Sequence, residues 1–233
     1  SDLQVGDFVA TPRVMDYEGD VLTFDLTEYL DCFDGCMLKG EPLRKLIEKI
    51  SDRNTRLINY YKDKCVLPVK LFAKLNFNLS REDKKKVKIL PKKSSRYKRN
   101  EIPLLVEFDK ELACLVGMWL ADGSYDKTSI IFSMANNECN DAVRRFGSRY
   151  NINAKLHSDG VSLMLHSKIL KIFFKEVLGL DGNAYTKKIP GFVFDLKKNL
   201  VCNLLMGYFS GDGTVKKNEV CCSSCSIDLL RDI

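Results

Sequence analysis

The chain has 233 residues, 45% hydrophobic and 29% charged, with 37 Lys+Arg against 31 Asp+Glu and a net charge of +6. That apolar fraction is enough for a core and that charge too small for a disordered chain. No stretch approaches 18 uncharged apolar residues, which excludes a membrane-spanning helix, and Ser1 opens no signal-peptide pattern. Nine scattered cysteines, an odd number in a chain long enough to fold without staples, point to a reduced, intracellular protein rather than a disulfide framework. The absent initiator Met points to a fragment or a processed chain.

Residues 1–24 read as short β-strands: LQVGDFVATPRV, a turn at Tyr17–Asp20, then VLTF. Residues 25–80 read as a largely helical insert. Pro42 sits at a first-turn position before LRKLIEKI, whose Leu43, Leu46, Ile47 and Ile50 share one face; LINYYKDK follows, and Pro68 restarts the chain before VKLFAKL. Residues 81–102 read as a basic linker. Ten Lys/Arg and two acids in 81–100 carry +8, while the other 213 residues sum to −2. A stretch of this kind is either a solvated linker or a segment laid along phosphates, with Lys84, Lys85, Lys86, Lys92, Lys93, Arg96, Lys98 and Arg99 as its DNA-binding candidates.

From residue 103 the chain contains an internal repeat. LACLVGMWLADGS (112–124) and CNLLMGYFSGDGT (202–214) match at a constant offset of 90: Leu115 with Leu205, Gly117 with Gly207, Asp122 with Asp212, Gly123 with Gly213, Lys127 with Lys217. The first copy reads through as α-β-β-α-β-β-α. Asp109 caps a helix to about Leu120, and two strands follow within Ala121–Met134. A helix lies near Cys139–Tyr150, then a hairpin through Ser158–Asp159–Gly160, then a helix stopped by Gly179. The second copy supplies its first helix and hairpin. The expected fold class is α+β, with a first repeat over 103–190 and the start of a second over 191–233.

Glycine in a helix interior costs about 1 kcal/mol relative to alanine, so Gly117 and Gly207 need a reason. Close approach of the two helices provides one, making this pair the expected helix interface. Asp122 and Asp212 then meet at the foot of the pair, where two carboxylates face two negative dipole ends. Such an arrangement requires a protonated carboxyl or a divalent cation, and oxygen-only ligation suits Mg²⁺.

LVGMWLADG (115–123) and LMGYFSGDG (205–213) resemble the paired motifs of LAGLIDADG homing endonucleases. Lys187-Lys188-Ile189-Pro190 resembles the K-x-I-P block of those carried by inteins, and LQVGDFVATPR (3–13) a strand of the Hint splicing domain. The resemblance implies a LAGLIDADG endonuclease fold preceded by a Hint-like piece, and metal-dependent cleavage of both strands of double-stranded DNA. Asp122 and Asp212, with Gly123 and Gly213 beside them, would hold Mg²⁺, and Lys187 would assist as a nearby cation. Saddle-shaped sheets would lie in the major groove, with Ser129, Ile131, Ser133, Lys155, His157, Ser162 and Met164 as candidate base readers and Lys188 as a further DNA-binding residue.

The blocks of an intact splicing domain are missing: no T-x-x-H follows an N-terminal nucleophile, and no His-Asn ends the chain. The rest of the intein and its host protein are therefore expected partners, and no homo-oligomer is required. Two alternatives stay open: a catalytically inactive intein fragment, and a DNA- or RNA-binding regulator or splicing cofactor.

Overall fold

The computed structural model describes residues 19–50, 55–92, 100–134, 136–217 and 219–233. The expected Hint-like strand at 3–13 lies outside the described residues.

β1 (Thr23–Asp25) is followed by a 3₁₀ turn (Leu26–Phe33) and β2 (Cys36–Lys39). Then come α1 (Leu43–Ile47), α2 (Thr55–Lys64), β3 (Val66–Pro68), α3 (Val69–Lys74), α4 (Arg81–Lys84), β4 (Lys88–Pro91), β5 (Ile102–Pro103) and β6 (Leu105–Glu107). Two expectations are corrected here. Among the described residues, 25–80 holds strands as well as helices, and the expected basic linker carries α4, β4 and the start of β5, because β2, β3, β4 and β5 form one antiparallel sheet in the order β3-β2-β4-β5. Met37 pairs with Leu90 and Lys88 with Pro103. The reason is burial: Leu38, Ile89 and Ile102 are all at most 1% exposed, so the apolar residues between the lysines hold this stretch in the sheet.

β1 is also tied to distant sequence. It pairs antiparallel with β6, Phe24 opposite Val106, and the Phe24 ring meets those of Phe108, Phe173 and Phe192 edge-on at 5.3–6.3 Å. VLTF thus closes the core of the following unit instead of standing in a separate N-terminal piece.

That unit begins with α5 (Lys110–Asp122), whose N-cap Asp109 accepts from Leu112 N. β7 (Gly123–Asp126), β8 (Ser129–Phe132), α6 (Asn137–Arg149), β9 (Ala154–Leu156) and β10 (Leu163–His166) follow. α7 (Lys168–Ile172) then passes into a π-helical turn to Val177, and Gly179 leaves it at φ +68°. The sheet is antiparallel, in the order β7-β8-β10-β9. Its inner face buries Ile130, Phe132, Leu163 and Leu165 beside Val143 and Phe146 of α6 and Leu170 and Phe174 of the last helix.

A 3₁₀ turn (Gly191–Asp195) leads to α8 (Lys198–Asp212), β11 (Gly213–Lys216), β12 (Glu219–Cys222) and α9 (Ile227–Asp232). The β11–β12 register, Gly213↔Cys222 to Lys216↔Glu219, reproduces the β7–β8 register, Gly123↔Phe132 to Asp126↔Ser129, pair for pair at an offset of 90. The N-caps correspond as well: Asn136 for α6, Ser226 for α9. Among the described residues β11 and β12 form a two-stranded sheet, against four strands in the first unit.

Candidate active site at the helix pair

α5 and α8 lie backbone against backbone. A Cβ on Gly117 would stand 1.9 Å from Leu204 O, and one on Gly207 2.0 Å from Cys114 O, so no larger residue fits at either position without separating the helices. Both helices end on the motif aspartate, and Gly123 and Gly213 are their C-caps. Neither glycine is left-handed. A Cβ at Gly123 would strike the Trp119 ring at 2.3 Å and one at Gly213 would strike Phe209 O at 2.2 Å, so what these caps require is the missing side chain.

Asp122 is exposed and Asp212 half-buried. The Asp212 carboxyl is raised above the usual carboxylate range, first by burial and then by the Asp122 charge, with Lys187 opposing. The Asp122 charge therefore reaches the Asp212 carboxyl.

Lys187 is only 5% exposed. Its ammonium donates to Trp119 O at 2.8 Å and Ala121 O at 3.0 Å, and lies 4.8 Å from the centroid of the Trp119 ring. A cation on the last carbonyls of a helix is well placed against the dipole. Burial nonetheless lowers its pKa to about 8, only partly offset by Asp122 and Asp212. Trp119, fully buried, stacks obliquely on Tyr125 at 5.1 Å and forms the floor beneath the ammonium.

Among the described residues no group of three or more His, Cys, Asp or Glu side chains gathers to hold a metal. The helix pair offers two carboxylates, and burial, then the Asp122 charge, disfavours the ionised form of Asp212. This donor set fits a hard cation that keeps water and accepts phosphate oxygens, and does not fit a closed, all-protein cage.

The open face of the first sheet is set by its register. Ser124 lies opposite Ile131, Ile131 opposite Met164, and Met164 opposite Lys155, so these four form one row across the sheet. Ser133 is exposed and His157 half-buried, its Nδ1 3.2 Å from the Asp159 carboxylate. Two of the expected base readers are not presented to a ligand. Ser129 is fully buried with Oγ 3.0 Å from His166 Nδ1, and Ser162, 2% exposed, donates to Asp159 Oδ2 at 2.6 Å. Hydroxyls that satisfy neighbours within the sheet serve its geometry. Ser124 and the exposed His166 lie on this same face although neither is among the sequence-derived candidates. The two-residue turn Lys127–Thr128, which fixes the hairpin register, was the signal that placed Ser124.

The basic candidates divide. Lys84 Nζ lies 2.5 Å from Asp25 Oδ2 and 3.0 Å from Thr27 Oγ1, and Lys85 pairs with Glu82 at 2.7 Å, so both charges are engaged within the fold. Lys86, Lys92 and Lys188 are exposed, whereas Lys93, Arg96, Lys98 and Arg99 lie outside the described residues. The charge also extends further than the 81–100 segment. Residues 36–99 hold twenty Lys/Arg and six Asp/Glu, a net +14 that leaves −8 for the rest of the chain. Lys45, Lys49, Arg56 and Lys64 on α1, its flank and α2 are exposed and form no salt bridge among the described residues.

No helix among the described residues is long and apolar enough to cross a membrane. Across its whole length the chain is 28% identical to the DNA polymerase II large subunit of Thermococcus kodakarensis, of which it spans 13%. Over 57% of its length it is 28% identical to the DNA-directed RNA polymerase subunit Rpo1C of Methanocaldococcus jannaschii, and over 52% it is 26% identical to an uncharacterized protein of the same organism, spanning 15% of each. The chain thus covers less than a fifth of these relatives. Residues 109–177, from the cap of α5 to the end of the π-helical turn, match the family model of the LAGLIDADG-like domain.

Proposed function

We propose that the chain is a metal-dependent, site-specific endonuclease of double-stranded DNA, of the LAGLIDADG homing type, carried within an intein. The observation that supports this most strongly is the meeting of Asp122, Asp212 and the buried Lys187 at the C-terminal ends of two helices joined glycine to glycine. In this reading the αββαββα unit over 103–190 is the first repeat, and α8 to α9 begin the second. Asp122 and Asp212, with the Gly123 and Gly213 caps, hold Mg²⁺. When bound, the cation lowers the pKa of the attacking water and offsets charge on the phosphate. Lys187 keeps a cation beside the same phosphate. The open face with Ser124, Ile131, Ser133, Met164, Lys155, His157 and His166 meets base edges, and the basic unit over 36–99 neutralises flanking phosphates. Long DNA and RNA polymerase subunits with differing names carry segments like this one over less than a fifth of their length, as an element inserted into a host would. Such an element works inside the cell, within its host chain and without a homo-oligomer.

The raised Asp212 carboxyl, whose ionised form burial and then the Asp122 charge disfavour, favours a second reading, a binding protein without cleavage. Incubating the chain with a plasmid library of random inserts and Mg²⁺ separates the two. The endonuclease reading expects linearised plasmids sharing one site, abolished by Asp122→Asn and Asp212→Asn. Retention of plasmid on the protein with no Mg²⁺-dependent cutting would move the binding reading to first place.

A further inference from the structure

The segment that carries Lys187 is held from two sides. Its ammonium is fastened to the last carbonyls of α5, Trp119 O and Ala121 O, in the first unit. Its backbone is fastened to α9 in the second unit: Ser226 Oγ donates to Lys187 O at 2.5 Å, and Ile189 N donates to Asp232 Oδ2 at 3.1 Å. Ser226 is 1% exposed, and the same Oγ accepts from Leu229 N at 3.2 Å, which caps α9.

Capping alone does not account for this serine. At the corresponding position of the first unit Asn136 caps α6 by accepting from Glu138 N, and it does so in an exposed setting with no bond to another element among the described residues. Asp232 corresponds to Ala142, which has no side-chain acceptor at all. The two bonds to the 187–189 segment are therefore peculiar to the second unit.

We propose that Ser226 and Asp232 are positioning residues for Lys187: α9 clamps the backbone of the lysine so that its ammonium stays on the α5 carbonyls beside Asp122 and Asp212. A lysine on a free backbone has its whole flexible stem in which to leave a buried place, and water would solvate it outside. With residues 187 and 189 both tied to α9, departure requires breaking the side-chain bonds while the backbone stays in place. The second unit thereby completes the chemistry at the end of the first unit's helix. That Lys187 takes part in cleavage rests on the endonuclease reading; that Ser226 and Asp232 hold it does not.

The test uses the full chain without DNA or metal. Lysine amines are acetylated with a limiting amount of an N-hydroxysuccinimide ester and followed by mass spectrometry, with alkylation of the buried Cys114 in α5 as a control for general loosening. Ser226→Ala and Asp232→Ala are each expected to speed modification of Lys187 by roughly tenfold, the equivalent of one missing hydrogen bond, while Cys114 reacts as in the wild type. Ser226→Thr, which keeps the hydroxyl, is expected to restore protection. Unchanged Lys187 reactivity, or a parallel rise at Cys114, overturns the proposal. Should Ser226→Ala fail to fold, Asp232→Ala decides, because Asp232 lies in the last turn of α9 and takes no part in its cap. Where cleavage is measurable, the same variants are expected to lower kcat about tenfold with KM unchanged. A wild type that never cuts DNA, with the protection pattern as stated, sinks the endonuclease reading and leaves the clamp intact.

Discussion

Gly117 and Gly207 oppose one another across the α5–α8 pair so closely that each α-carbon faces a backbone carbonyl of the other helix, Leu204 O and Cys114 O. The obstacle to a methyl group is main chain, which no rotamer change can move aside. Gly117→Ala and Gly207→Ala are therefore each expected to destabilise the fold by roughly 3 kcal/mol, even though alanine is the better helix former. Urea unfolding checks this. A cost below the propensity gain would mean that the helices part freely.

The raised Asp212 carboxyl makes the site a source of instability when no cation is present. Burial and the Asp122 charge raise its pKa, so its ionised form is disfavoured in the fold at neutral pH. The wild type is expected to be stabilised by Mg²⁺ or Ca²⁺, and Asp212→Asn to raise Tm in chelator and to lose that stabilisation. Thermal scans of both proteins with and without the cation read this directly. Equal metal stabilisation of both would place the cation elsewhere.

Lys187 imposes a pH dependence with a definite sign. Its pKa falls in the fold from the ordinary lysine value to about 8 through burial, so between about pH 8 and 10.5 the unfolded chain binds the extra proton. Stability contributed at this position rises with pH across that window and is at its lowest below it. Comparing unfolding free energies of the wild type and Lys187→Met from pH 7 to 10 should give a difference moving in favour of the wild type by up to about 3 kcal/mol. A flat difference would show that the ammonium is as well solvated in the fold as out of it.

Charges already engaged in the fold and charges left free should behave differently toward DNA. Replacing Lys45, Lys49, Arg56 and Lys64 with glutamine is expected to reduce the slope of log K against log salt by about one for each phosphate no longer neutralised, with Tm unchanged. Lys84→Met should do the reverse. It breaks the pair with Asp25 and costs about 1 kcal/mol of stability, with little change in slope. Fluorescence anisotropy on a random duplex at several salt concentrations measures the first effect, and urea unfolding the second.

Val215 and Val220 are cross-strand partners, 74% and 65% exposed. Their counterparts Tyr125 and Ile130 lie on the inner face of the first sheet, where Ile130 is fully buried. An apolar pair on an open two-stranded sheet is a template for association. The isolated chain is expected to form larger species as concentration rises, and Val220→Lys to suppress them by light scattering.

The sequence alone determined the features that depend on local spacing. The 90-residue offset, the Asp109 cap, both hairpins of the first unit and the glycine pair are all legible, because helix ends, turn residues and a steric need for glycine are written within a few positions of one another. From the same signals came the juxtaposition of Asp122 and Asp212. What only the tertiary structure decided is whatever depends on which distant segment covers a residue. β2, β3, β4 and β5 are short and separated by helices and by lysines, and they are recognisable as one sheet only once paired, which is why the basic segment read as a linker. Lys84 and Lys187 look alike in sequence, yet one finds Asp25 across 59 residues and the other is buried on the carbonyls of α5 and clamped from α9. Ser129 and Ser162 alternate correctly for an open face but are used up by His166 and Asp159. Spacing along the chain dictates local geometry, whereas burial and charge pairing belong to the neighbours that folding brings.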